Sequence, residues 1–141
     1  MITRDTTSDV ELRLPTDSAF ISVLRTATAG LAARLDFTLD DLEDVRMAVG
    51  EAAALVLEAA EPGADLTIRY WLAPRELTIA VSTTAGSVVP ERDSFAWTVL
   101  TTLAEEATAT TEEGIFQVTL RTASSIDVSG GDVDPRAGVD G

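Results

Sequence analysis

The chain contains no cysteine, no histidine and no lysine. Without thiols or imidazoles it can form no disulfide, offers no thiolate or imidazole to a metal, and can assemble neither a Ser/His/Asp triad nor a Cys/His dyad. Any catalysis would have to run on carboxylates. Cations are scarce as well, since arginine supplies all 10 of them against 24 acids, for a formal net charge of −14. A nucleic-acid duplex must be neutralised by clustered basic side chains, and so acidic a surface would repel it. Such a surface suits a basic protein partner, whose complementary field would raise the association rate, or serves only to keep the chain soluble. Apolar runs fall far short of the ~20 residues that cross a bilayer, and no apolar signal core follows Met1-Ile2-Thr3-Arg4-Asp5. The expectation is a cytoplasmic protein that binds neither nucleic acid nor membrane.

What is present is a globular composition, 45% hydrophobic and 24% charged over 141 residues, enough for one core. Residues 1–8 are polar and read as a flexible N-terminus. The folded domain is expected over 9–122, and a disordered acidic tail over 123–141, where Ser, Gly and Asp leave little apolar surface to offset the entropy of ordering. Within the domain, Val10, Leu12 and Leu14 alternate with Glu11 and Arg13 until Pro15, the period of a half-buried strand. Phe20, Leu24, Ala27, Leu31 and Leu35 form a helical stripe from about Asp17 to Leu35. Thr38 with Asp41 matches a capping box, opening a second helix whose stripe of Leu42, Val45, Val49, Ala52, Val56 and Ala59 runs to about Ala60, ahead of Pro62-Gly63. Leu66 to Ala73 and Glu76 to Ser82 read as a hairpin turning at Pro74-Arg75. Ala85 to Arg92 is loop; Phe95, Val99, Leu100, Leu103 and Ala107 suggest a third helix, and Ala107 to Thr111 with Ile115 to Thr122 a final strand pair. That order implies an α+β two-layer sandwich, a mostly antiparallel sheet with about three helices on one face.

The segment Glu43-Asp44-Val45-Arg46-Met47-Ala48-Val49-Gly50-Glu51-Ala52-Ala53-Ala54-Leu55 resembles the N-box, roughly A-V-S-E-A-x-x-N, of the RsbW and SpoIIAB anti-sigma factors. Those proteins are serine kinases of the histidine-kinase-like GHKL ATPase superfamily. Leu35 to Leu42 resembles the link between their first two helices. Ser94 to Ala104 resembles the F-S-W-x-V-L-x-x-L-A stretch of the actinobacterial UsfX-type subgroup. An A-V-x-E-A run alone is also what the core packing of an alanine-rich helix produces; matching element order, length and the Trp97 segment add the weight. The abundance of Ala, Arg, Asp and Val without lysine suits a GC-rich actinobacterial genome.

Residues four apart share a helix face, so Glu51 and Leu55 are expected to point together, away from the stripe of Val45, Val49, Ala52 and Val56. The resemblance implies that ATP would lie along that second face, with Glu51 as the general base toward a substrate serine and an asparagine at position 55 holding magnesium. Position 55 is leucine, and an aliphatic side chain cannot replace an oxygen ligand of magnesium. The family's D-x-G-x-G box matches Thr83-Thr84-Ala85-Gly86-Ser87, so the adenine-binding aspartate is Thr83 and both glycine positions carry side chains. Ser94-Phe95-Ala96-Trp97 replaces the glycines before the third helix, placing a ring where phosphate would meet free N–H groups. About eight residues between Gly86 and Ser94 are too few for the usual lid. The expectation is no cofactor and no metal, weak or absent ATP binding, and no useful kinase activity. Glu51 is then a vestigial general base or a solvated helix residue.

A binding surface remains. Counting back from Leu35-Asp36, Arg25 falls on the first-helix arginine that the family uses against its sigma factor and against the competing anti-anti-sigma protein; alternatively, Arg25 solvates the outside of the helix. The resemblance implies an anti-sigma factor that sequesters an alternative sigma factor under a stress or sporulation signal. It would be released by an anti-anti-sigma STAS-domain protein and would form a homodimer through sheet and first helix. Two other readings stand beside it: an active serine kinase of the anti-anti-sigma protein, and a non-catalytic module of another partner-switching pathway.

Overall fold

The computed structural model describes residues 7–86 and 94–126. Strand β1 (Val10–Pro15) leads through a 3-10 turn at Ser18–Phe20 into α1 (Ile21–Ala33), and α2 (Leu39–Ala59) follows. Next come the hairpin of β2 (Asp65–Ala73) and β3 (Glu76–Thr84), then α3 (Phe95–Leu103), then the hairpin of β4 (Glu106–Glu112) and β5 (Ile115–Ala123). The strands make one antiparallel sheet in the order β1-β2-β3-β5-β4. This is the α+β two-layer arrangement that the element order implies.

Period-two patterning builds the sheet. Leu12, Ile68, Val81, Val118 and Ala109 stand side by side across the five strands and turn to the helices, whereas Arg13, Thr67, Ser82, Gln117 and Thr110 form the next row on the opposite face. The outer row is polar, and among the described residues no helix packs over it. Among the described residues, four ion pairs tie that face: Arg13 and Arg69 to Glu11, and Arg121 to Glu76 and Glu106.

Helix α2 is the centre of the helical layer. Its capping box is present as expected, with the Asp41 N–H donating to Thr38 Oγ at 3.1 Å and the Thr38 N–H donating to an Asp41 carboxylate oxygen at 2.9 Å. The helix lies against α1 on one side, α3 on the other, and β3 and β5 beneath. Burial therefore extends beyond one stripe to Ala48, Ala53 and Leu55.

The first helix departs from expectation at its start. Asp17 accepts the Ala19 N–H at 2.9 Å and opens a 3-10 turn before α1. A 3-10 turn advances about 120° per residue rather than about 100°, which swings Phe20 out of the stripe and leaves it 36% exposed. The buried side of α1 carries Leu24, Thr28 and Ala32. Thr28 is tolerated there because its hydroxyl and that of Tyr70 on β2 share a buried hydrogen bond of 2.7 Å. Burial pushes the Tyr70 phenol up to about 12, with the Thr28 bond pulling the other way. In α3, Leu100 is wholly buried but Phe95 is 79% exposed, so the periodic spacing overcounts the inward face. Ala107 sits opposite Leu120 on β4 rather than on the helix.

The ordered chain also runs past 122. Strand β5 includes Ala123, the Ser124 hydroxyl donates to the Asp36 carbonyl at 2.7 Å, and the Ser125 N–H and hydroxyl donate to Asp41 Oδ2 at 2.9 and 3.1 Å. Serines that bury little apolar surface are held here by a carboxylate they can reach. Most of the expected tail, and residues 1–6 of the expected flexible start, lie outside the described residues.

Partial burial raises the Asp41 pKa, but the bonds from Ser125 and Thr38 outweigh it and hold the carboxyl below its ordinary 3.8. A carboxylate depressed by folding stabilises the native state above its unfolded pKa, and that contribution fades as pH falls through the folded value. Asp41→Asn is therefore expected to cost about 1 kcal/mol at pH 7. In urea unfolding at stepped pH, the gap to the unsubstituted protein should close as pH falls below 3.8.

Candidate functional site

The middle of α2 brings together the residues that the resemblance assigns to a nucleotide. Glu51 is half-exposed, but Leu55, one turn on, is only 3% exposed and belongs to the hydrophobic core. The face that the two share is therefore covered at Leu55 and partly open at Glu51. Helices α1 and α3 flank α2 on both sides, so the helix sinks into the fold at Leu55.

Thr83 stands on β3 opposite Phe116, buried, and its hydroxyl donates to the Asp65 carbonyl at 2.9 Å. The chain after it is stitched to the end of α2, with the Gly86 N–H donating to the Ala59 carbonyl at 2.7 Å and the Glu61 N–H to the Thr84 carbonyl at 3.0 Å. A Cβ built at Gly86 would meet its nearest neighbour at 3.7 Å, an ordinary contact, so no close backbone approach demands glycine there. At the start of α3, Ser94 Oγ accepts the Trp97 N–H at 3.2 Å, and Trp97 itself is half-buried against the core. Ser87 and the segment expected to be too short for a lid lie outside the described residues.

Leu55, Thr83 and Ser94, the described positions of the three boxes, lack the groups that the resemblance assigns to nucleotide and magnesium. Leu55 offers no oxygen, the Thr83 hydroxyl is engaged with backbone, and the first turn of α3 has already spent an N–H on its own cap.

Arg25 occupies a different setting. It is exposed on α1, and it shares a shallow groove of about 230 Å³ with Glu43, Arg46 and Met47 of α2. Its guanidinium lies over Gly50: a Cβ built there would fall 2.6 Å from Nε and 2.7 Å from Nη2. Arg25 makes no ion pair among the described residues. Helix α1 carries no acid along Ile21–Ala33 in a chain of net charge −14, and Met47 beside the groove is 54% exposed. Arg25 thus lies over the residue next to Glu51, and the two make no ion pair among the described residues. Gly50 is a residue that pattern reading passed over; a glycine inside an otherwise alanine-rich helix was the available signal.

No family model matches the chain. Among curated proteins it is similar to the serine-protein kinase RsbW of Halalkalibacterium halodurans, 34% identical over 74 residues that cover 52% of this chain and 46% of the relative. Over that half of its length, the chain resembles RsbW in sequence. The serine-protein kinases RsbW of Bacillus mycoides and Bacillus cereus are each 31% identical over 75 residues, covering 52% of this chain and 47% of theirs. The RsbW-like chain thus spans about half the length of the curated relatives it matches. A crystal structure of the RsbU and RsbW domains of a Mycobacterium tuberculosis protein superposes with a TM-score of 0.61 over 81% of this chain and 31% of that one. At 14% identity that likeness concerns the fold alone. Among the described residues, no helix of this RsbW-like chain is long and apolar enough to cross a membrane.

Proposed function

We propose that the chain is a cytoplasmic anti-sigma factor of the UsfX type. It would hold an alternative sigma factor inactive by stoichiometric contact and give it up to an anti-anti-sigma STAS-domain protein. The RsbW-like sequence supports the partner-switching class. The observation that carries the non-catalytic choice is Leu55, an aliphatic side chain sunk in the core where the family's magnesium-holding asparagine belongs. Sequestration needs a surface rather than turnover. Arg25 supplies its cationic point, since a guanidinium fork pairs bidentately with carboxylate. The acidic remainder suits the basic surface with which a sigma factor meets polymerase and promoter. Glu51 is then a solvated helix residue, no ATP or magnesium is required, and a homodimer through sheet and first helix completes the proposal.

In vitro transcription tests it directly. With host polymerase, and without ATP beyond the nucleotides of transcription, a molar excess of the protein is expected to silence one alternative sigma factor. Unchanged transcription by every sigma factor of the host overturns the reading.

A second reading has its own support, because the similar curated proteins are serine-protein kinases and Glu51 keeps its carboxylate. Titration with a fluorescent ATP analogue in magnesium separates the two. Saturable binding tighter than about 0.1 mM, roughly −5.5 kcal/mol, would favour phosphorylation of the anti-anti-sigma protein.

A further inference from the structure

Gly50 has no backbone reason to be glycine. It lies inside α2, where glycine is a worse helix former than alanine, and among the described residues the positive-φ glycines are Gly63 and Gly114 instead. What fills the space of its missing side chain is Arg25: Nε, Nη2 and Cζ of the guanidinium would lie 2.6, 2.7 and 3.1 Å from a Cβ at this position. Both nitrogens lie nearer than the Cζ between them, so the guanidinium meets the helix by its Nε/Nη2 edge rather than by its face. Gly30 on α1 is the contrast, with nothing within 4 Å of a Cβ built there.

We infer that Gly50 is a positioning residue that seats the Nε/Nη2 edge of the Arg25 guanidinium against α2, presetting its Nη1/Nη2 end for a carboxylate of the partner. An arginine free in solvent loses rotamer freedom when a partner fixes it, and a seat formed beforehand removes part of that loss from association. Met47, exposed beside the same groove, adds an apolar contact. The complementary segment therefore carries a carboxylate with an aliphatic or aromatic neighbour. The cost of the seat falls on the fold, because the obstructing atoms are the far end of a flexible side chain that a methyl group would displace easily. Stability and binding are set against each other at this one position. The inference rests on Arg25 as the contact residue in the proposed function.

Two measurements on the full chain test it. In the first, arginine Nε–Hε NMR of the protein alone follows Arg25. Gly50→Ala is expected to move the Arg25 signal from a restrained to a free value, with a melting temperature equal to or above that of the original protein. An unmoved signal, or a lower melting temperature, overturns the seat. In the second, binding is measured to the sigma factor silenced in the transcription assay. Gly50→Ala is expected to weaken it about tenfold, and to have no further effect once Arg25→Ala is present. Equal affinity for Gly50→Ala where Arg25→Ala binds weakly overturns the inference while leaving the contact role intact. Equal affinity for Arg25→Ala sinks the contact role and with it the purpose assigned to the seat, whatever the NMR shows.

Discussion

Leu55→Asn, which writes the family's magnesium ligand back into the chain, is expected to cost about 3 to 5 kcal/mol of stability and to restore no nucleotide binding. Leu55 is 3% exposed within the core. The substitution removes buried aliphatic surface and brings in an amide whose donors and acceptor would each need a partner in an apolar setting. Domains of this size have only about 5 to 15 kcal/mol in total, so the variant should populate unfolded chain well before the original does. Urea unfolding reads the loss as a lower midpoint at unchanged slope, and the fluorescent ATP analogue reads the site. A variant that stays near its original stability and binds the analogue would mean that position 55 borders a cleft and that the ancestral site lies one substitution away.

Arg25→Glu carries the other large effect, this time on binding with the fold left intact. The side chain is exposed and stands outside the core cluster, so stability should change by no more than about 0.5 kcal/mol. Reversing the charge removes a charge-assisted pair worth about 1.5 to 3 kcal/mol and sets two carboxylates against each other. Affinity for the sigma factor is therefore expected to fall at least about 100-fold, which corresponds to about 2.7 kcal/mol. Calorimetric titration at low and at physiological salt measures it. Undiminished binding would assign the partner to another face and favour the reading as a module of a different partner-switching pathway.

The sheet was legible because alternation reports directly on a half-buried strand. Leu66, Ile68 and Tyr70 on one hairpin arm, and Leu77, Ile79 and Val81 on the other, are buried as their spacing demands. The capping box of Thr38 and Asp41 was legible for the same local reason: both partners lie within one turn. What was missed depends on contacts between elements. Thr28 looks like a break in an apolar stripe until Tyr70 arrives from β2 to share its proton. Alanines at 48, 53 and 54 are silent about which side of α2 is covered, so the burial of Leu55 awaited the flanking helices. Phe95 fits a periodic pattern yet faces solvent, since spacing cannot say whether a neighbouring surface exists at that height. Gly50 could be marked as odd from sequence, but its use appears only when α1 lays an arginine across it.

The shared carboxylate of Asp41 has a practical corollary. It closes the opening turn of the longest helix and also anchors the strand that leaves the sheet last, two places 84 positions apart along the chain. Trimming the protein at residue 122, where composition turns polar, would strip one of those duties away and loosen the other. A shortened version meant for crystallisation or display should stop no earlier than Ile126.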